Sequence, residues 1–245
     1  MVFSNGTVNN VWPLSVSCWL KASTRGSAES NAIGGIFFKA ASGNTFGSVL
    51  GPNLFVNVVV NSNYATLRYA HGTTAGGTIV ARETTHGTIE TGEWVHIGMT
   101  HVSGSIIATD IKLYINGTEP LVYRTSQNGT SKLNTDEFNN LYIGNINSYA
   151  RANSGWIEEM AWWNAVLTPE EMLFLSQSRM KGAPYQVQPS SLVGYFPMSD
   201  HSDLFQPAVG TTVIDQSTNR FVGILTNGVG GAVPIGLATE ALSYP

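Results

Sequence analysis

The chain is poor in charge. Asp, Glu, Lys and Arg make up 11% of its 245 residues, against roughly 25% in an average soluble domain. The 12 basic and 16 acidic side chains are scattered and leave a net charge of −4. No basic stripe exists to neutralise phosphates, which excludes the usual electrostatic footprint of a nucleic-acid binder. One cysteine is present, Cys18, so no intrachain disulfide can form. It alternates with apolar neighbours and reads as a buried, inert thiol rather than a nucleophile. No apolar run approaches the roughly 18 residues that mark a membrane-spanning helix. The opening MVFSNGTVNNVWPLS lacks a basic segment followed by an apolar one, so no secretory leader is expected. His71, His86, His96, His101 and His201 form no H-x-H or H-x-x-x-H pair on one face, which leaves metal and catalytic triads unsupported.

Turn formers and period-two patterns are what the chain has in quantity. There are 26 glycines, and Ser, Thr and Asn fill many other polar positions, giving a surface wetted by hydroxyls and amides. In LSVSCWLKA, Leu14, Val16, Cys18 and Leu20 share one face, with Ser15, Ser17, Trp19 and Lys21 on the other. Such alternation is that of a half-buried strand. GGIFFKA (34–40), NLFVNVVV (53–60), ATLRYAH (65–71), EWVHIGMTHV (93–102), IKLYI (111–115), LYIGN (141–145) and WIEEMAWW (156–163) continue the series. Asn116-Gly117 between strand-like runs is hairpin chemistry, since both residues tolerate positive φ. One helix interrupts the strands at LTPEEMLFLSQS: Thr168, Pro169 and Glu171 form a capping box with proline at the first helical position. Leu173, Phe174 and Met172 are expected to face the body. LVGYFPM (192–198) and TVIDQSTNRFVGILTNG (212–228) are strand-like again. Many short strands and one late helix point to an all-β, two-sheet antiparallel sandwich. A chain of this length buries roughly 70% of its unfolded surface, enough for one domain without staples.

Several segments resemble the laminin-G-like, concanavalin-A-like jelly-roll family. LSVSCWLKA is similar to an early strand of that family. EWVHIGMTHV is similar to its W-x-H-V-A-x-T strand, with Trp94, His96, Ile97, Gly98 and Thr100 at matching places. IKLYINGTEP looks like L-Y-V-N-G, and GWIEEMAWWNAVLTPEEMLFL like the strand-plus-helix segment that follows. There Glu158 stands for the usual Asp and Ala165 for the usual Arg. The LVGYFPMSD and TVIDQSTNRF segments lie after the other strands, where the commoner arrangement has them before. The resemblance thus implies a circularly permuted sandwich: a main body over 1–180, a connecting loop at 181–191, and strands within 192–245 that complete the same sheets. A truncated second copy is the rival, and it would have too little apolar matter for its own core.

Candidate sites are few. Adjacent strand residues Glu158 and Glu159 are expected on opposite faces, which argues against a glycosidase acid pair flanking one bond. Asp215, Ser217 and Asn219 alternate in a D-x-S-x-N turn. They read either as an Asx turn or as part of a structural calcium site with Asp215, Asn219 and Glu158 as its ligands; no other cofactor is implied. Asn5, Asn116 and Asn128 each begin N-G-T, an acceptor pattern for glycosylation that is read here as turn chemistry. Tyr149 and Arg151, with Tyr64 and Tyr123, are the candidates for stacking on a glycan. Trp162 and Trp163 alternate, one for the core and one for cover by the C-terminal segment. The expected role is non-enzymatic. A phage virion accessory protein (capsid decoration or tail-associated adhesin) made in the host cytoplasm and released at lysis fits the composition and the resemblance. It would be arrayed in symmetric copies on the virion. A carbohydrate-binding lectin-like module is the alternative, and a glycoside hydrolase the remote one.

Overall fold

The structure is a computed structural model that describes residues 2–3, 13–23, 32–39, 51–58, 63–74, 78–135, 140–144, 155–177, 179, 183–198 and 212–224. Its strands are β1 (Val2–Phe3), β2 (Leu14–Ala22), β3 (Ala32–Lys39), β4 (Pro52–Val58), β5 (Tyr64–Gly72), β6 (Ile79–Thr84), β7 (Ile89–Glu90), β8 (Trp94–His101), β9 (Ile111–Ile115), β10 (Tyr123–Gln127), β11 (Leu141–Ile143), β12 (Gly155–Trp163), β13 (Leu192–Phe196), β14 (Thr212–Ile214) and β15 (Val222–Ile224). The single α-helix among the described residues, α1, spans Pro169–Gln177. The larger sheet runs β10-β6-β5-β4-β3-β11-β1-β15-β14, with β7 against β5; the smaller runs β13-β12-β2-β8-β9. The strand pairs are antiparallel throughout, as in β2–β8, β4–β5 and β12–β13. The protein is an all-β two-sheet sandwich.

The core lies between the sheets and follows the alternation of the strands. Leu14, Val16, Cys18 and Leu20 of β2 are fully buried and share one cluster with Ile97 and Met99 of β8, Leu54 and Val56 of β4, and Leu67 and Tyr69 of β5. Each such aliphatic side chain contributes about 1.5–3 kcal/mol by leaving water. Burial also pushes the Cys18 thiol far above its usual range, so it stays protonated. Trp162 points into this core, 5.6 Å from the Phe37 ring and stacked on Phe196 at 5.7 Å. Gly194 of β13 faces it: a Cβ there would stand 2.2 Å from the Trp162 ring.

The segment after Ser191 enters both sheets. β13 extends the smaller sheet beside β12. The β14–β15 hairpin joins the larger sheet through β1, where Val2 pairs with Ile224. The Asp215 turn links the two pieces. Its Oδ1 accepts from the backbone N–H groups of Tyr195 and Ser217, and its Oδ2 from the Ser217 hydroxyl and the Phe221 N–H.

Two local readings need correction. Helix α1 is capped as expected, Thr168 N–H donating to Glu171 Oε2 at 2.7 Å and Glu171 N–H to Thr168 Oγ1 at 3.2 Å. Yet it is Met172 and Leu175 that face the sheet, while Leu173 and Phe174 are exposed. An i, i+3 stripe seats on one side of a helix, and Gly98 beneath leaves the room that the Met172 sulfur takes, 2.7 Å from where a Cβ would be. The second correction concerns Glu158 and Glu159. The β12–β2 register shifts between Glu158 and Ala161, and Glu159 takes φ of 52°. This β-bulge breaks the alternation. Glu158 lies opposite Trp19 on the outer face, and Glu159 reaches the outward-facing Tyr195, whose hydroxyl donates to it at 2.6 Å. Both carboxylates therefore share the outer face.

Candidate functional site on the five-stranded sheet

The outer face of the smaller sheet is a grid across β12, β2 and β8. Its first row is Trp156–Lys21–Trp94 and its second Glu158–Trp19–His96. The third is Ala161–Ser17–Gly98 and the fourth Trp163–Ser15–Thr100. Rows three and four lie under a lid made of α1 and residues 183–192, with Met172, Leu175, Val187 and Leu192 packed on Trp163 and Tyr114. Trp163 is fully buried there and its Nε1–H donates to Val187 O at 2.8 Å. Ser15 ties the helix approach down, accepting from Leu167 N–H and donating to Ala165 O.

Rows one and two are built differently. Trp19, Trp94 and Trp156 are half-buried, with the two outer tryptophans about 10 Å apart across two strand spacings. Charged groups stand between and above them. Lys21 Nζ lies 5.4 Å from the Trp156 ring centre, and the Arg179 guanidinium 4.4 Å from that of Trp94. Arg179 Nε also meets Glu158 Oε2 at 3.2 Å. His96 packs edge-on against Trp19 and pairs through Nε2 with Ser17 Oγ at 2.8 Å. Burial lowers its pKa to about 3, so it is neutral at physiological pH. A serine–histidine pair suggests a nucleophile and its base, but that chemistry needs a third group to orient the ring. Here Nδ1 of His96 has no hydrogen-bond partner among the described residues, and Ser17 is buried. The pair is a packing contact beneath the tryptophans. Asn116 holds the same histidine from behind, its Oδ1 accepting from His96 N–H at 3.0 Å, which gives the N-G-T sequence at 116–118 a structural use.

The residues singled out from sequence are not gathered into one place. Tyr149 and Arg151 lie outside the described residues. Tyr64 is exposed at the start of β5, where strand parity puts it on the outer face of the larger sheet with Thr66 and Arg68. Tyr123 packs on the core side of that sheet. Its hydroxyl donates to Glu119 at 3.0 Å, Arg82 sits 3.5 Å over its ring, and burial raises its pKa. Tyr64 and Tyr123 thus serve opposite faces. Asp215 is fully buried with four protein donors. Asn219 Nδ2–H donates to Val193 O at 2.7 Å, and Glu158 faces Arg179. No group of three or more His, Cys, Asp or Glu side chains suited to a metal occurs among the described residues. The tryptophans were missed, although a signal existed: Trp19 and Trp94 occupy the polar positions of otherwise clean alternations.

Residues 2–172 match the Concanavalin A-like lectin/glucanases superfamily. The chain belongs to that family. Among solved structures it is similar to a candidate carbohydrate-binding protein from Bacteroides ovatus, with 18% identity, a TM-score of 0.52 and 95% of this chain covered. The match spans 59% of the length of that protein; at this identity it speaks for a shared fold. Below it stand the Trypanosoma rangeli sialidase, with 11% identity, TM-score 0.44, and 70% of this chain against 24% of the sialidase. Domain 4 of AbnA, an extracellular arabinanase of Geobacillus stearothermophilus, in complex with arabinotriose, has 22% identity, TM-score 0.39, and 71% and 70% of the two chains covered. No curated protein matches the sequence.

Proposed function

We propose that this chain is a non-enzymatic carbohydrate-binding module that holds a surface glycan against the open half of the five-stranded sheet. The observation that carries this reading is the set of three half-buried tryptophans in two adjacent rows, interleaved with Lys21, Glu158 and Arg179. Flat rings cover the apolar faces of a sugar, while ammonium, guanidinium and carboxylate groups take its hydroxyls. The family and the Bacteroides ovatus neighbour point the same way. Hydrolysis is disfavoured because cleavage needs a proton donor and a second carboxylate facing each other across the bond. Glu158 and Glu159 are instead neighbours on one bulge, held by Arg179 and by Tyr195.

A glycan array followed by titration of the hits, read by tryptophan fluorescence, tests the proposal. Saturable binding that weakens about tenfold in Trp19→Ala supports it; uniformly blank arrays, or hits indifferent to Trp19, Trp94 and Trp156, overturn it. A virion surface is the setting we favour for this module, as capsid decoration or a tail-associated adhesin. What supports it is a composition rich in hydroxyl and amide side chains and low in charge. Antibodies to the chain that label intact particles support that setting, and their absence from purified particles removes it.

A further inference from the structure

On the opposite side of the sandwich, the outer face of the larger sheet carries a second cluster. Arg68 of β5 lies between Phe55 of β4 and Glu83 of β6. Glu83 in turn lies opposite Thr125 of β10. The register of β10 shifts between Tyr123 and Thr125, and this irregularity brings Arg124 to Glu83 as well. The Glu83 side chain is only 4% exposed. Its Oε1 accepts from the Thr66 hydroxyl at 2.8 Å and meets Arg124 NH1 at 3.5 Å. Its Oε2 accepts from the Thr125 hydroxyl at 3.3 Å and meets Arg68 NH1 at 3.8 Å.

One buried carboxylate therefore orients two guanidinium groups. It meets Arg124 through NH1, so most of the five N–H donors of that guanidinium are not turned to it. Arg124 is 46% exposed, and Glu83 is its one ion-pair partner among the described residues. Its guanidinium is thus an exposed fork that Glu83 anchors at NH1. Such a pre-oriented fork matches a carboxylate in bidentate geometry. Arg68 is held 5.7 Å over the Phe55 ring. Its pKa is lowered by burial, a shift that Glu83 opposes and Arg124 reinforces, so an incoming anion relieves two like charges placed side by side. Tyr64 stands on the same strand face, four residues before Arg68 or about 13 Å along β5. It is 45% exposed.

We propose that this face binds a carboxylate-bearing oligosaccharide, Arg124 taking the carboxylate with Arg68 behind it and Tyr64 stacking on a neighbouring ring. The separation of the exposed Tyr64 ring from the exposed Arg124 guanidinium favours a chain of linked rings that reaches from one to the other over Arg68. This site is separate from the tryptophan-lined one and takes a different class of sugar.

The test uses the full chain and a labelled oligouronate, compared with the same oligomer after its carboxylates have been reduced to alcohols. The acidic oligomer should bind at least tenfold more tightly, and its binding should weaken in high salt. Arg124→Ala should lose about tenfold or more, Arg124→Lys should restore only part because it has no fork, and Tyr64→Ala should lose severalfold. Phe174→Ser, on the far side of the helix, should bind as the parent does. Equal binding of the reduced oligomer overturns the proposal, as does full affinity in Arg124→Ala with an unchanged unfolding transition. So does displacement by a polyglutamate peptide at the same concentration as by the oligouronate, since that would show charge recognition without sugar recognition. None of these failures touches the tryptophan face, which is read independently with neutral glycans and Trp19→Ala.

Discussion

One sheet face supports two kinds of surface, divided between its second and third rows. Under the lid the residues are either small, as Ser15, Ser17, Gly98 and Ala161, or fully buried, as Trp163. Beyond the lid the same three strands present Trp156, Trp94 and Trp19, large rings left partly in water among charged groups. Small side chains let a helix approach closely, and the helix then supplies the apolar matter. Large amphipathic rings keep the lid off. Solvent gains nothing from three tryptophans in adjacent rows, whereas a partner with apolar patches and hydroxyls does. The contrast separates a face built for the protein's own stability from one built for something else.

The largest expected effect lies under the lid. Trp163→Ala removes a fully buried ring and leaves Val187 O without its donor, and should cost about 3–5 kcal/mol in denaturant unfolding. Trp94→Ala should cost less than about 1.5 kcal/mol; equal losses would erase the distinction between the halves. Acid comes next. Burial holds His96 near 3 and lowers His101 to about 4, both below the ordinary value of about 6.5. The unfolded chain therefore takes up protons that the native state refuses. The stability these neutral histidines contribute is fully present above about pH 6.5 and is lost as pH falls through the window down to 4 and then 3. Each adds roughly 1.4 kcal/mol per pH unit to the slope, and His96→Gln should flatten it by one histidine's share. Gly98→Val should cost about 1–3 kcal/mol by displacing Met172, and Met172→Ala in the same chain should recover part of that loss. On the open half, Trp19→Ala should weaken glycan binding about tenfold, equivalent to about 1.4 kcal/mol, with little change in unfolding. At the foot of the scale, a chelator should leave the melting temperature unchanged, because the Asp215 carboxylate is filled by protein donors. A calcium-dependent rise that vanishes in Asp215→Asn would return this turn to metal binding.

Much of this fold was legible from period-two patterning, because strands with one buried face have little freedom of register. The β2 residues divide between core and outer face as their alternation predicts, and the capping box at Thr168 marks the true helix start. What alternation could not show was its own interruptions. The bulge at Glu159 and the irregularity at Arg124 each turn a side chain that parity assigns elsewhere, and the second contributes to a candidate site. The helix face was misjudged because Met172, Leu173, Phe174 and Leu175 are all apolar; only the empty space over Gly98 decides which of them is buried. Tyr64 and Tyr123 were paired by residue type, and no sequence pattern said that they serve opposite faces. Lys21, Trp94 and Trp156 lie far apart in the chain and meet only through strand order.

The pairing of Val2 with both Tyr142 and Ile224 has a consequence for synthesis. On the ribosome, the first strand waits for about 140 residues before one neighbour emerges, and for a further eighty before the other. Until then its hydrogen-bonding edges are open, as are those of every strand whose partner is still inside the exit tunnel. Long-range closure of this kind slows folding and leaves partly made chains prone to associate through their edges. Recombinant yield should therefore respond to translation speed and to amino-terminal fusions more sharply than the finished sandwich, once closed, would suggest.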